Sequence, residues 1–425
     1  MELKKYKLKN YIDSFGDGIH GTPNYDENGE YYFVNGNNLK DGKLNITEDT
    51  LKVSSKEYFK IKRNLIPYNT ILISINGTLG NVALYQNENI ALGKSACYLN
   101  LKNNAFRFFL RYVIESKEFK KYMDRVAGQS TIKNVSPTQI SEYEFFAPPL
   151  ESQQKIAAVL STLDDKIALN RRMNAKLEHM AKRLYDHWFV QFDFPNADGK
   201  PYKASSGKMV WNETLKREIP EGWEVKKLGE FFTTNRGVSY STKTITGDTG
   251  IPMINLASFS PDGSYKIDGI KLYTGEYTQE KVLKPFDLVM CNTQQTAIDF
   301  SKDIIGKALL VPDIFEGDIT SSHHVNTLKV HNEKLKFYLY RLFNTDYFHA
   351  YISHYASGTN IMGLDFAGVE NYSAVIPNEE ILSKFADFTL NIEKKKSEII
   401  RENKKLISLR NRLLPLLMNG QVEVK

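Results

Sequence analysis

The sequence predicts an α+β protein in which two repeated α+β domains are separated by two long antiparallel coiled-coil helices. Three observations predict this. The 425-residue chain, too long for one ordinary core, repeats itself once at an offset of about 220–230 residues. Each repeat ends in a long helical segment with heptad-spaced apolar residues. The globular parts are short β-branched and aromatic runs divided by Gly and Asn turns.

The repeat is read residue by residue. Leu8-Lys9-Asn10-Tyr11-Ile12 matches Leu228-Gly229-Glu230-Phe231-Phe232, and Pro67-Tyr68-Asn69 matches Pro285-Phe286-Asp287. Gly80–Leu84 matches Gly306–Leu310, and Ala127-Gly128 with Ile132 matches Ser357-Gly358 with Ile361. Each unit closes on a short strand and a proline, at Glu144–Pro149 and Ser373–Pro377. Ile71–Ile75, Val82–Tyr85 and Ala308–Val311 read as strands; Phe106–Asp124 and Asn332–His354 read as helices inside the units.

After each proline the period changes. In the first segment Ile156, Leu160, Leu163 and Ile167, then Leu177, Ala181, Leu184 and Trp188, recur at steps of four and three. In the second, Phe385, Ile392, Ile399, Leu406 and Leu413 stand seven apart, with Phe388, Leu409 and Leu416 expected to fill in between. Ile156, Leu163, Leu177, Leu184, Phe385, Ile392, Ile399, Leu406 and Leu413 are therefore the expected packing residues. Helices of this length span about 57–60 Å. Such a seam needs a partner, and the other helix is the nearest. Asn170 interrupts the first seam, either to fix register or because the seam loosens there. Pro415 is expected to kink or end the second helix, and Gly420 to stop it. The boundaries that follow are 1–149 for the first domain, 150–188 for the first helix, 189–219 for a turn-rich connector, 220–377 for the second domain and 378–425 for the second helix and tail.

Composition narrows the function. No apolar run suffices for a membrane span, and no apolar stretch follows Met1–Lys5 to make a signal peptide. Two distant cysteines, Cys97 and Cys291, suit a reducing cytoplasm. No phosphate-binding P-loop is present, nor a methyltransferase's Gly-rich turn with an Asn/Asp-Pro-Pro-aromatic segment. His323-His324 is the only histidine pair. On a strand its side chains would point in opposite directions, and no third ligand falls at metal spacing, so no metal is expected. No catalytic residue is assigned.

The arrangement resembles the specificity subunits of Type I restriction–modification systems. The resemblance covers nearly the whole chain. It is most specific at Pro148–Ile156, at Glu218-Ile219-Pro220-Glu221-Gly222-Trp223 and at Leu413-Leu414-Pro415-Leu416-Leu417-Met418-Asn419-Gly420, with the Gly21-Thr22-Pro23 and Asn35–Leu39 turns also alike. Asn378-Glu379-Glu380-Ile381 departs from the Pro-Leu-x-x-Gln helix start. The resemblance implies two target-recognition domains reading an asymmetric, bipartite, gapped site on double-stranded DNA. It also implies a scaffold for two methyltransferase subunits that carry the S-adenosylmethionine and modify adenine. Where a system has them, two translocating restriction subunits join. This chain itself would need no cofactor. The other reading of the architecture is a non-catalytic two-headed protein-interaction scaffold.

Base reading needs forked donors and acceptors. Such residues cluster in turns at matching places of the repeats: His20, Asn37, Asn38, Lys40, Asn76, Thr78, Gln129, Ser130, Thr131 and Lys133, then Arg236, Tyr240, Thr242, Lys243, Asn292, Gln294, Gln295, Thr296, His323, Thr359 and Asn360. The run Asn292–Thr296 is the strongest candidate, because it follows a buried-looking strand. Residues 150–190 carry +2 and residues 378–418 carry +3 of the net +6, leaving +1 on everything else. Phosphate attraction must therefore come from local patches or partners.

If the helices set the gap, lengthening both lengthens it. Four residues inserted after Asn174 and four after Asn403 add about 6 Å of helix, close to two rises of about 3.4 Å in B-DNA. Methylome sequencing of the double insertion should show unchanged half-sites one to two base pairs further apart; an unchanged gap in an active variant refutes the ruler.

Overall fold

The computed structural model describes residues 3–102, 106–128, 133–247, 249–295 and 303–424. The chain divides into two compact units, residues 1–169 with 404–425, and residues 170–403. Both divisions fall inside a long helix, because each half-helix packs with the domain nearest to it.

Unit 1 runs β1 (Lys4–Lys7), β2 (Ile12–Asp17), β3 (Tyr31–Val34), β4 (Lys52–Val53), β5 (Thr70–Ser74), β6 (Val82–Leu84), β7 (Ile90–Leu92), β8 (Ala96–Leu101), α1 (Arg107–Glu115), α2 (Lys117–Val126) and β9 (Glu144–Ala147). It takes in the start of the long helix α3 (Leu150–Tyr185). Its main sheet is antiparallel with order β2-β8-β5-β6, a second has order β4-β3-β7, and β1 pairs with β9.

Unit 2 repeats this plan with β10 (Glu224–Lys227), β11 (Phe232–Arg236), β12 (Ile245–Thr246), β13 (Ile251–Ile254), β14 (Lys271–Tyr273), β15 (Leu288–Cys291), β16 (Thr293–Gln295), β17 (Ala308–Leu310), β18 (Thr320–Ser321) and β19 (Val325–Val330). Then come α4 (Leu335–Phe343), α5 (Asp346–Ser353), β20 (Ala356–Ser357), β21 (Ile361–Leu364), β22 (Ser373–Ile376) and α6 (Glu379–Met418). Its main sheet has the equivalent order β11-β19-β15-β17, and β10 pairs with β22. A parallel pair, β3 with β7 and β13 with β18, sits in the second sheet of each unit. The register repeats too: Leu99 faces Ile71, and Leu328 faces Leu288.

The segments expected as single helices each split in two, at Ser116 and at Thr345. Both residues cap the following helix: Ser116 Oγ accepts from the Phe119 amide, and Thr345 Oγ1 from the Phe348 amide. The breaks let α1 and α4 bury against their sheets while α2 and α5 add Phe119 and Phe348 to the same cores. Buried Phe109, Leu110, Val113 and Phe119 form one core with Ile71, Ile73 and Leu99; Leu339, Phe343 and Phe348 do the same with Leu288, Met290 and Leu328. Each such side chain contributes about 1.5–3 kcal/mol.

The long helices run antiparallel in each unit. In unit 1, Ile156, Ala157 and Leu160 near the start of α3 share a core with Leu413, Leu414, Leu417 and Met418 near the end of α6. In unit 2, Leu184 and Tyr185 at the end of α3, and Trp188 in the π-helical turn that follows it, meet Ile381, Leu382 and Phe385 at the start of α6. Of the expected packing residues, Ile156, Phe385, Ile392 and Ile399 are buried, and Leu163, Leu177, Leu184, Leu406 and Leu413 half-buried. Phe388 and Leu409, expected to fill the seam, are 38% and 44% exposed. The seam passes instead through Thr389, Lys396, Asn403, Arg410 and Leu417, four residues after each heptad position. Four of those five are polar, so an apolar search slides onto the wrong face. Their partners are specific. Asn170 is buried and donates from Nδ2 to Glu402 Oε2 (2.8 Å) and Asn403 Oδ1 (3.0 Å), which favours the register-fixing reading over a loosened seam.

The helix starts and stops have local causes. Gln153 Nε2 donates to the Pro148 carbonyl at α3, whereas Asn378 Oδ1 accepts from the Ile381 amide at α6, so the departure there replaces one cap with another. Pro415 does not end α6, which continues to Met418. Gly420, at φ 66°, closes it as the Gln421 amide reaches back to the Leu416 carbonyl. The 189–219 segment is more than a connector: Phe189, Phe192, Phe194 and Ile219 are buried with Trp223 in the core of unit 2, and Met209–Asn212 pairs with Arg217–Pro220.

One contact ties each domain to its long helix. In unit 1 the buried Arg111 donates to Asp164 (2.7 Å) and Glu115 (3.0 Å), and Asp164 also receives the Tyr112 hydroxyl (2.8 Å) and Arg410 (2.7 Å). In unit 2 the buried Arg341 donates to Glu393 (3.0 Å) and to Glu178, and Lys396 bonds both carboxylates. Burial alone would raise the Glu178 carboxyl, but the charges of Arg341 and Lys396 outweigh it and hold it below the ordinary carboxylate range.

Arg341→Met should therefore leave Glu178 and Glu393 to share Lys396 alone and cost up to about 3–5 kcal/mol, read as an earlier unit 2 transition in urea. In the wild type, the lowered Glu178 pKa gives stability that is present above the unfolded-chain value of about 4.3 and is lost as pH falls through the folded-state value. An acid titration of Arg341→Met should show that part of the pH dependence reduced, with Lys396 sustaining the remainder.

Candidate nucleic-acid interface

At one end of each main sheet, loops distant in sequence are knitted by the same backbone bonds. In unit 1 the loop after β2 meets the turn before β8 through Ile19–Gly93 pairing, and the segment after β5 joins that turn by Ile75 N–H to Ser95 O (2.9 Å). Asn76 then pairs with Asn134. In unit 2, Val238 pairs with Ser322, Asn292 N–H reaches His324 O (2.9 Å), and β16 pairs with β21. The approach is close: a Cβ on Gly18 would lie 2.1 Å from Gly93 O, and one on Gly237 2.2 Å from Ser321 O. Only glycine fits at either place.

This end gathers many of the sequence candidates. In unit 1, His20 is exposed and 2.6 Å from Asp17. Asn76 is half-buried, and Thr78 is exposed with its hydroxyl 3.1 Å from Ser74. Lys133 is exposed and paired with Asp124 at 2.7 Å. Asn37 is exposed, but Asn38 closes its own turn through Asn35 N–H and Asn45 O. Lys40 lines a different feature, a cleft of about 600 Å³ that also includes Glu115 and Arg410. Gln129, Ser130, Thr131 and Thr296, and the Gln295 side chain, lie outside the described residues.

In unit 2, Arg236 is exposed and donates from Nε to the His323 carbonyl (2.9 Å). Tyr240 is half-buried; its ring centroid is 5.4 Å from that of His323 and 6.2 Å from that of His324. Thr242 and Lys243 are exposed in the next turn, and Thr359 and Asn360 in the turn between β20 and β21. The Asn292–Thr296 run differs from expectation. Asn292 and Gln294 are buried: Asn292 Nδ2 donates to His323 O (3.2 Å) and to Asn326, and Gln294 Oε1 accepts from the Ile304 amide (2.7 Å). These amides hold the frame from behind its surface.

The histidine pair also differs. His323 and His324 stand in a turn, not on a strand, so their rings lie on one side with centroids 3.8 Å apart. His324 Nδ1 is 2.6 Å from Thr293 Oγ1. Burial, and then the Arg236 charge, pushes the His323 imidazole down; burial, His323, Arg236 and Lys271 push His324 down. Both rings are neutral at pH 7 and can each donate and accept a hydrogen bond. Among the described residues, no group of three or more His, Cys, Asp or Glu is placed to hold a metal.

Four residues here were not among the expected base readers: Lys94, Lys271, Asn326 and His324, which was weighed only as a metal ligand. Aligning the Gly93–Ala96 turn with Ser322–Val325 would have found Lys94, which is exposed at the place His323 occupies. Lys271 arrives from β14, its Nζ 5.3 Å from the Tyr240 ring centre, and no local pattern marks it.

The chain matches the family described as the Type I restriction modification DNA specificity domain over residues 3–179 and again over 220–405. It is 27% identical, over 99% of its length and 89% of the relative's, to the Type I restriction enzyme MjaIX specificity subunit of Methanocaldococcus jannaschii. It is 24% identical to the HindI specificity subunit of Haemophilus influenzae, over 74% of this chain and 77% of that one. The fold is similar to the crystal structure of a Type I restriction–modification S subunit from M. genitalium, with a TM-score of 0.55 at 15% identity, covering 98% and 96% of the two chains. With both halves matched and the same frame built twice, the chain belongs to the Type I restriction modification DNA specificity family.

Proposed function

We propose that this chain is the DNA sequence-specificity subunit of a Type I restriction–modification enzyme and reads an asymmetric, bipartite, gapped site. The observation that carries the reading is one loop frame built twice with different side chains on it. Asp17 stands opposite Cys97 where Arg236 stands opposite Asn326, and Lys94 stands where His323 does. A repeated frame suits two half-sites; unlike side chains suit unlike half-sites.

The chain acts as a scaffold and supplies no catalytic group. Adenine methylation belongs to two methyltransferase subunits, which hold the S-adenosylmethionine, and two restriction subunits complete the enzyme where they exist. Exposed apolar residues on α3 support a protein partner there: Met173 and Met180 remain uncovered, and Met180 lines a shallow hollow of about 390 Å³ with Ala175, His179 and Arg183. No helix among the described residues is long and apolar enough to cross a membrane, and the buried cysteines are unpaired, which suits work on cytoplasmic DNA.

Two experiments test this. With S-adenosylmethionine, the purified chain should transfer no methyl groups to DNA, and adding its methyltransferase should produce sequence-specific methylation. Turnover by the chain alone, or no DNA binding even with the methyltransferase, rejects the reading, and the second result would favour a protein-interaction scaffold. Replacing residues 220–377 by the equivalent domain of a relative should change one half of the methylated site; a change in both halves shows that the domains do not read independently.

A further inference from the structure

We propose that the Tyr240–His323–His324 cluster with Arg236 and Lys271 is the surface by which unit 2 reads its half-site, and that Arg236 specifies a guanine there. This rests on the reading of the chain as a DNA specificity subunit.

Three independent features converge. The first is uncompensated charge. Arg236 and Lys271 have no carboxylate within ion-pair distance among the described residues, although many other cations of the chain are paired, including Lys5, Lys7, Lys9 and Lys133. Two cations left unneutralised beside one aromatic cluster suit a polyanion. The second is rigidity. Val238 and His323 exchange backbone bonds with the frame, His324 is held by Thr293, and Asn292 ties the His323 carbonyl from below. Reading groups held this way lose little freedom on binding. The third is the ring cluster itself: the His323 and His324 centroids lie 3.8 Å apart and Tyr240 lies 5.4 Å from His323, which groups three aromatic rings at one turn.

Arg236 has the most defined task. Its Nε is committed to the His323 carbonyl, which fixes the guanidinium plane and leaves the two Nη groups. Paired donors of this kind match the O6 and N7 acceptors of guanine, the commonest specific contact in the major groove. Lys271, a point charge over the Tyr240 ring, suits a phosphate. The rings of Tyr240, His323 and His324 offer neutral donors, acceptors and apolar faces to neighbouring bases. Unit 1 has none of this set at the equivalent strand end, where Asp17 and His20 pair with each other and Lys94 occupies the turn. The two surfaces therefore differ in the chemistry they can read.

The test reconstitutes the full chain with its methyltransferase and maps methylated sites and binding for Arg236→Gln, Arg236→Lys, Arg236→Met and Lys271→Ala. The half-site read by unit 2, identified by the domain exchange, should contain a guanine. Arg236→Gln should relax discrimination at that one position by roughly 5- to 150-fold and leave the other half-site unchanged. Arg236→Lys keeps the charge and can still donate to O6 and N7, so it should retain binding and part of the guanine preference; Arg236→Met, which has neither charge nor donors, should lose the preference and decides the matter if Arg236→Gln fails to fold. Lys271→Ala should weaken binding evenly across sequences and reduce the salt slope by about one. A unit 2 half-site made only of A·T pairs overturns the proposal. So does an active Arg236→Gln or Arg236→Met enzyme with unaltered preference at every position. Wild-type enzyme that methylates no defined sequence rejects the parent reading instead.

Discussion

A buried guanidinium bonded to a carboxylate on a long helix fixes how each domain sits on its half of the scaffold. Arg111 and Asp164 make the contact in unit 1; in unit 2 Arg341 makes it with Glu393, the carboxylate at the place of Asp164, but from one residue further along its helix, where unit 1 has Tyr112. Apolar packing alone would leave sliding and rotation of α1 or α4 over the helix nearly isoenergetic, since dispersion is non-directional. A desolvated ion pair is directional, and most of its cost falls on arrangements that break it. Each anchor also draws in the second helix. Asp164 receives Arg410, and Glu178 joins Arg341 and Lys396, so one network sets domain orientation and helix register together. The Asn170–Asn403 bond then allows one pairing of the helices and disfavours a slip by a turn.

Part of this was legible in the sequence. The repeat, the α+β character, the strands at Ile71 and Ala308 and the heptad-spaced Phe385–Ile392–Ile399 seam all follow from local periodicity, and the structure has them. The polar half of the seam was not legible. Thr389, Lys396, Asn403 and Arg410 read as a solvated face unless their partners on the other helix are known, and for that reason Phe388 and Leu409 looked like better choices. Arg111 and Arg341 did leave a trace: each is a charge set among the apolar residues of its helix, in the aligned pairs Arg111-Tyr112 and Tyr340-Arg341. The site was legible as a set of turns, because turn residues and repeat positions coincide. Its internal order was not. Asn292 and Gln294 look like ideal base readers by type, yet burial turns them into framework, while Lys271 reaches Tyr240 only through the pairing of β13 with β14.

The same frame explains how the surface can vary without the fold failing. Gly18 and Gly237 let one loop lie against the turn before the last sheet strand, and the bonds common to both units there, Ile19 with Gly93 and Val238 with Ser322 among them, run between backbone atoms. Such bonds do not depend on side-chain identity. Asp17 can become Arg236, and Lys94 can become His323, with the strand pairing intact. Constraint falls on the glycines and the buried amides; freedom falls on the residues that project from them.

Charge distribution then shapes how such a surface discriminates. Outside the long helices the chain carries only +1, and a single cation such as Lys94, or two such as Arg236 and Lys271, cannot neutralise many phosphates. Counterion release scales with the number of phosphates met, so this chain's own share of sequence-independent affinity is small. Small background affinity favours selectivity, because competing sites are held only weakly while a correct half-site still gains its directional contacts. The consequence is that tight binding requires both half-sites, or a basic surface on a partner, to be engaged together. In a chain whose two readers are coupled through one helical scaffold, the second contact is made at the high effective concentration set by the first. Neutral histidines fit this design: at pH 7 they add contacts that depend on the base presented and little attraction that does not.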